Sequence, residues 1–168
     1  ERKGIALDLN FDMIASPNFV RFVYDGDGSD TEASGPNGSG NIEKVFLDYF
    51  SSQGLETEPT AFDGRSDYGP FIDAGIPAGG HFSGAEGIKT ADQAAIYGGT
   101  AGAAYDSCYH QACDDINNLN TTSMDQLADG AAHATLTFAN TTSAVNGTDI
   151  ASNTTASKME FKGPHAKK

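Results

Sequence analysis

The chain has 168 residues, a hydrophobic fraction of 38% and a formal net charge of -13. That length fits one domain, and its apolar residues, concentrated between Ile5 and Phe138, suffice for a real core rather than a disordered chain. Such an acidic balance repels nucleic acid and anionic membranes, and neither is expected as a partner.

In chain order, Ile5 to Ile14 reads as a strand. Ile5, Leu7, Leu9, Phe11 and Met13 alternate onto one face, and Asp8, Asn10 and Asp12 onto the other. Ser16-Pro17 should end it, because the residue before proline stays extended and proline cannot join a ladder. Asp12 then lies near a strand's carboxyl end, where open α/β sheets hold their ligands. Phe19 to Tyr24 reads as a second strand. Asp25 to Asp30 is expected to be a solvated turn: it lacks the glycine and the terminal glutamate that a calcium loop requires.

Ile42, Val45, Phe46, Tyr49 and Phe50 repeat at helical spacing, with Ser39 or Asn41 as the expected cap and Gly54 as the stop. A strand over Glu56 to Phe62, a short helix over Tyr68 to Ala74, a glycine-rich strand over Ile76 to Phe82 and a helix over Thr90 to Tyr97 follow. The last helix is expected to start on a capping box of Ser123 and Gln126, burying Met124, Leu127, Ala128, Ala131, Thr135 and Phe138. His81 could ligate a metal, but a loop histidine with no nearby partner reads more plainly as solvated, and His133 reads as a surface residue. This order of elements predicts an α/β fold, a three-layer α/β/α sandwich with a mixed sheet. Residues 1–140 would form the domain, and 141–168 a flexible tail rich in Ser, Thr and Asn.

Cys108 and Cys113 are the two cysteines of the chain, five positions apart, and they enclose Tyr109 and His110. A disulfide would hold the phenol and the imidazole in one pose, suited to an oxyanion donor beside a metal ligand. A plain surface staple fits the same spacing. Arg65, in the polar turn Asp63-Gly64-Arg65-Ser66-Asp67, either points into a cleft or pairs with Asp63 or Asp67. Asp125 and Asp129 stand four apart on the last helix, a repulsive spacing that calcium would relieve; two solvated acids are the plainer reading. Asn37, Asn120, Asn140, Asn146 and Asn153 each begin a glycosylation acceptor pattern, which points to the secretory pathway. No G-x-S-x-G or H-E-x-x-H motif is present.

Read together, these fragments resemble the carboxyl-terminal half of a secreted two-zinc aminopeptidase of the leucine-aminopeptidase-like kind. The resemblance runs from Leu9 to about Phe138. It rests on Asn10-Phe11-Asp12-Met13-Ile14 with Ser16-Pro17, Gly64-Arg65-Ser66-Asp67 with Pro70-Phe71, and Gly75-Ile76-Pro77. It continues through Gly79-Gly80, Phe82 with Gly84-Ala85, Gly98-Gly99-Thr100-Ala101-Gly102, and Cys108-Tyr109-His110 with Cys113-Asp114. It implies that Asp12 and His110 are terminal ligands of two different zinc ions. It implies that Tyr109 donates to the tetrahedral oxyanion and that Arg65 binds substrate or product. Phe82 would line the pocket for a large apolar first residue, and calcium would lie near Asp125 and Asp129. The substrate would be a peptide with a free amino terminus, cleaved by zinc-activated water.

The resemblance also implies a histidine, a bridging aspartate, a second carboxylate ligand and a glutamate base, all upstream of the Asp12 strand. Glu1 to Phe11 cannot supply them. The expectation is therefore a chain that is inactive alone and completed by an amino-terminal segment of the same precursor, or else a truncated relative. With Glu1 at its start and no signal peptide or membrane run, it reads as a mature, processed or truncated product. The alternative is a non-catalytic, glycosylated secreted module that uses the half-fold for binding or self-assembly through open sheet edges.

Overall fold

A computed structural model describes residues 4–146. Nine elements follow in order: β1 (Asp8–Phe11), β2 (Phe22–Tyr24), α1 (Ser39–Ser52), β3 (Glu58–Thr60), α2 (Gly69–Asp73), β4 (Ala78–Phe82), α3 (Ala91–Tyr97), α4 (Thr121–Asn140) and α5 (Ser143–Asn146). The strands form one mixed sheet in the order β1-β4-β2-β3. β1 runs parallel to β4, with Asp8 opposite Ala78 and Phe11 opposite His81. β2 runs parallel to β3 and antiparallel to β4. The expected α/β class and mixed sheet are present, with each strand shorter than the alternation suggested.

Alternation along the strands sorts side chains onto two faces. On one face Val23, Ile42, Phe46, Phe50, Leu127, Ala134 and Phe138 form the larger core, and Leu7, Leu9 and Phe11 pack against it. α1 and α4 cover this face. On the other, Tyr24, Phe62, Tyr68, Ile72 and Ala78 form a smaller aromatic core that brings in α2, with Phe82 against it. α3 is tied to β3: Gln93 Nε2 donates to Glu58 Oε2 at 2.6 Å. The Arg21 guanidinium lies over the Tyr97 ring at 5.0 Å. Thr90 and Gln93 form a reciprocal capping box at its start.

Several expectations are corrected. α1 has no side-chain cap; Ser39 is buried and its hydroxyl accepts from the Ala78 amide at 3.0 Å. α4 is capped by Asn120, whose carbonyl oxygen accepts from the Ser123 amide at 3.0 Å. Ser123 is buried and donates to the Ile14 carbonyl at 2.9 Å, so the Ser123/Gln126 box does not form. The buried stripe of α4 is Ser123, Leu127, Gly130, Ala134 and Phe138, while Met124 is exposed. Gly130 explains the rotation: a Cβ there would stand 2.7 Å from Phe50 Cζ, so only a bare backbone admits that ring. Past residue 140, Val145 of α5 is buried in the larger core. Most of the expected tail, with Asn153, lies outside the described residues.

His81 is not a solvated loop residue. It lies on β4, is fully buried against Phe11, Phe46 and Phe50, and its two ring nitrogens lack hydrogen-bond partners. Burial lowers its pKa to about 4, against a smaller opposing pull from the Leu127 backbone. Asp25 is likewise buried: its carboxylate accepts from the amides of Gly28, Ser29, Asp30 and Thr31. The 25–30 turn is thus built around an enclosed anion.

Gly80 fixes how closely β1 approaches β4. It has φ 155°, and a Cβ on it would lie 1.9 Å from the Asn10 carbonyl oxygen. That close approach carries the end of β1, and with it Asp12, to its place.

Candidate active site

The chain leaves β1 at Asp12 and turns sharply at Met13, where φ is 54°. The turn is latched from both sides. The Met13 carbonyl accepts from the Ser83 amide at 2.7 Å and from the Ser83 hydroxyl. The Ser16 hydroxyl lies 2.7 Å from that of Ser83 and donates to the Gly84 carbonyl at 2.6 Å. From the α4 side, Asn120 donates its backbone amide to the Ala15 carbonyl at 2.9 Å. The carboxyl end of β1 is therefore fixed, and Asp12 projects from it beside the end of β4.

A pocket opens there. Its walls include Asp12, Met13, Tyr24, Asp63, Arg65, Ser66, Phe82, Ala85 and Tyr109. Four of the residues singled out in the sequence, Asp12, Arg65, Phe82 and Tyr109, come from separate segments and line this one cavity. His110 is their neighbour: its ring stacks on Tyr109 with centroids 4.0 Å apart. The disulfide Cys108–Cys113 forms, with its Cα atoms 5.3 Å apart, and encloses both rings. The Asp106 carboxylate steadies the loop, accepting from the Cys108 amide at 2.8 Å and from Asn118 Nδ2 at 2.9 Å.

Among the described residues, the non-glycine positions with positive φ are Met13 and His110, the latter at 56°. A left-handed residue that carries a side chain costs about 1–2 kcal/mol. Both instances flank the pocket, where such strain concentrates in functional sites.

Second contacts set the site's electrostatics. Ser66 Oγ donates to Asp12 Oδ2 at 2.9 Å. Arg65 Nη2 meets Glu86 Oε1 at 2.8 Å, so its ion partner is neither Asp63 nor Asp67. Burial opposes the Arg65 charge, but Glu86 and the Tyr109 hydroxyl outweigh it and raise the pKa. The Tyr68 hydroxyl accepts from the Gly64 amide at 2.9 Å and donates to Asp63 Oδ1 at 3.0 Å, anchoring the turn that bears Arg65. Burial, with Tyr68, Asp12 and Asp63 nearby, raises the Tyr24 pKa well above its ordinary value and keeps its hydroxyl protonated. Phe82 stacks on Phe22 at 5.1 Å and gives the pocket an apolar wall. Ser66 and Glu86 carried no distinguishing signal in the sequence beyond the position of Ser66 next to Arg65.

A carboxylate on a strand end and an imidazole on a disulfide-closed loop suit zinc as oxygen and nitrogen donors. They fit as outer ligands, each needing more protein donors than the described residues bring to this cavity. Asp125 and Asp129 are exposed on α4, and burial with their combined field raises the Tyr49 pKa. The carboxylates that do converge, within 4.8 Å, are Asp25, Asp27 and Glu43. Burial, with Asp25 and Asp27 beside it, lifts Glu43 to about 7.

A mixed sheet with packed helices, and a carboxylate beside an aromatic-lined cleft at the strand ends, is an α/β layout that places a ligand site at those ends. The model of Peptidase family M28 matches residues 1–135, and the chain belongs to that family. It is 53% identical over 135 residues to an aminopeptidase of Pseudomonas aeruginosa, covering 80% of this chain and 25% of that protein. It is 52% identical over 145 residues to a probable leucine aminopeptidase 2 of Aspergillus oryzae, covering 86% and 29%. Similarity to the probable leucine aminopeptidase 2 of Aspergillus fumigatus is 46% over 168 residues, covering 98% and 34%. The chain thus spans about a quarter to a third of the length of these curated relatives. Among solved structures, BSAP, a zinc aminopeptidase from Bacillus subtilis, shares the fold with a TM-score of 0.55 at 19% identity. That match covers 83% of this chain and 29% of the other.

Proposed function

We propose that this chain is the carboxyl-terminal part of a two-zinc aminopeptidase domain, completed by an amino-terminal segment of the same precursor. The convergence of Asp12, Arg65, Phe82 and Tyr109 on one pocket carries this reading. Asp12 and His110 would each hold one of two zinc ions, which when bound supply an acidified water and polarise the scissile carbonyl. Tyr109 donates its hydroxyl to the oxyanion of the tetrahedral intermediate. Arg65, braced by Glu86, binds the substrate or departing product beside it. Phe82 lines the pocket for the first side chain and favours a large apolar residue. The disulfide and the acceptor asparagines support a secreted, glycosylated protein. No helix among the described residues is long and apolar enough to cross a membrane. Calcium at Asp125 and Asp129 rests on the resemblance alone.

Zinc titration with a leucyl-anilide assay tests the reading. The chain alone should show no turnover above the zinc blank. Joined to its upstream segment it should turn over, and Asp12→Ala or His110→Ala should abolish that activity. Robust turnover by the chain alone, or full activity in either variant, overturns it.

A further inference from the structure

Among the described residues that line the pocket, Arg65 is the cation. Its Nη2 meets Glu86 Oε1 at 2.8 Å, in a pair whose side chains are 31% and 55% exposed. Glu86 follows β4 and is next to Ala85, which lines the pocket while Glu86 itself does not. The Tyr109 hydroxyl lies close enough to the same guanidinium to favour its charge. Arg65 thus joins a pocket wall, Tyr109, to an acid outside the pocket. Asp63 is engaged by the Tyr68 hydroxyl and the Arg65 amide, which leaves Glu86 as the acid on the guanidinium.

A guanidinium has five N–H donors, so one contact to Glu86 leaves donors for a second acceptor. A carboxylate received by Arg65 would then share the fork with Glu86, and two like charges around one cation weaken each other's binding. Peptide hydrolysis makes such a carboxylate. The substrate enters with a neutral carbonyl at its first bond. The C–N bond breaks, the oxygen of water joins the carbonyl carbon, and its two protons pass to the departing nitrogen. A carbon that was neutral now bears a carboxylate, at the position the Tyr109 hydroxyl serves. The Glu86 charge opposes that product and is nearly indifferent to the substrate before it.

We propose that Glu86 acts through Arg65 to speed release of the cleaved amino acid, its charge loosening the hold of Arg65 on the product carboxylate. This role rests on the aminopeptidase function proposed for the chain, and adds to it a residue that distinguishes product from substrate.

The chain joined to its upstream segment and loaded with zinc is the material for the test. Calorimetry measures its affinity for leucine and for leucinol, which keeps the amine and the side chain but lacks the carboxylate. Glu86→Gln should tighten leucine roughly three- to fivefold, the size a partly exposed ion pair allows, and leave leucinol within about twofold. Glu86→Asp, which keeps the charge, should bind leucine within about twofold of the unmodified protein. High salt should shrink the effect of Glu86→Gln, because screening weakens contacts between exposed charges. Unchanged or weaker leucine binding in Glu86→Gln, equal tightening of leucine and leucinol, a Glu86→Asp variant that binds leucine as tightly as Glu86→Gln, or leucine bound by none of the proteins overturns the proposal. Leucyl-anilide turnover without the leucine shift overturns this role and spares the aminopeptidase reading; the leucine shift without turnover does the reverse.

Discussion

The two faces of the sheet solve different problems. Toward α1 and α4 the packing is dense and apolar: Ile42, Phe46, Phe50 and Leu127 are fully buried, and the imidazole in their midst makes no hydrogen bond of ordinary geometry. Toward α2 the packing is aromatic but polar at its margin. Tyr68 is as deeply buried as Phe46, yet its hydroxyl is satisfied by Gly64, Arg65 and Asp63. The first face holds the fold together. The second spends its polar groups on aiming a loop, and the cleft lies on that side.

His81 offers the largest test of this contrast. Its folded pKa of about 4 lies below the ordinary 6.5, so the folded state excludes the proton. That stability is complete above pH 6.5 and drains away as pH falls toward 4. Between pH 7 and pH 4 the unmodified chain should lose on the order of 3 kcal/mol more than His81→Leu. Urea unfolding across that range measures it, and parallel pH profiles would break the contrast. On the other face, Tyr68→Phe should cost about 1–2 kcal/mol and speed exchange of the Gly64 and Arg65 amides. Unchanged exchange would mean that the loop is aimed by something else. Smallest is Glu86→Gln, which removes a half-exposed ion pair worth less than about 1 kcal/mol. Melting should barely move, while nitrogen relaxation at Arg65 Nε should report a freer guanidinium. A large stability loss would place Glu86 in the scaffold instead of the cleft.

Where the sequence was legible, one residue type and one spacing carried the signal. The apolar repeat of α1 was plain, and so were its glycine stop at Gly54 and the pairing of Cys108 with Cys113. The gathering of Asp12, Arg65, Phe82 and Tyr109 was reached through resemblance, since nothing local to any of them announces the others. What stayed hidden depended on partners distant in sequence. Gly130 belongs to the buried stripe because Phe50 needs its missing side chain, a fact about fit and not hydrophobicity. Ser123 is interior because Ile14 presents a carbonyl to it. Asp25 looked solvated until four amides were seen to enclose it. His81 defied its polarity by falling on the inward beat of β4, and Ser66 and Glu86 gained meaning only through Asp12 and Arg65.

Gly80 carries a consequence for how this protein can drift over generations. Surface acids can be exchanged one at a time, each with a slight effect. Gly80 permits no such gradual route, because even a methyl group would collide with the Asn10 carbonyl. The strand that presents Asp12 is either seated or displaced, and a single codon decides which.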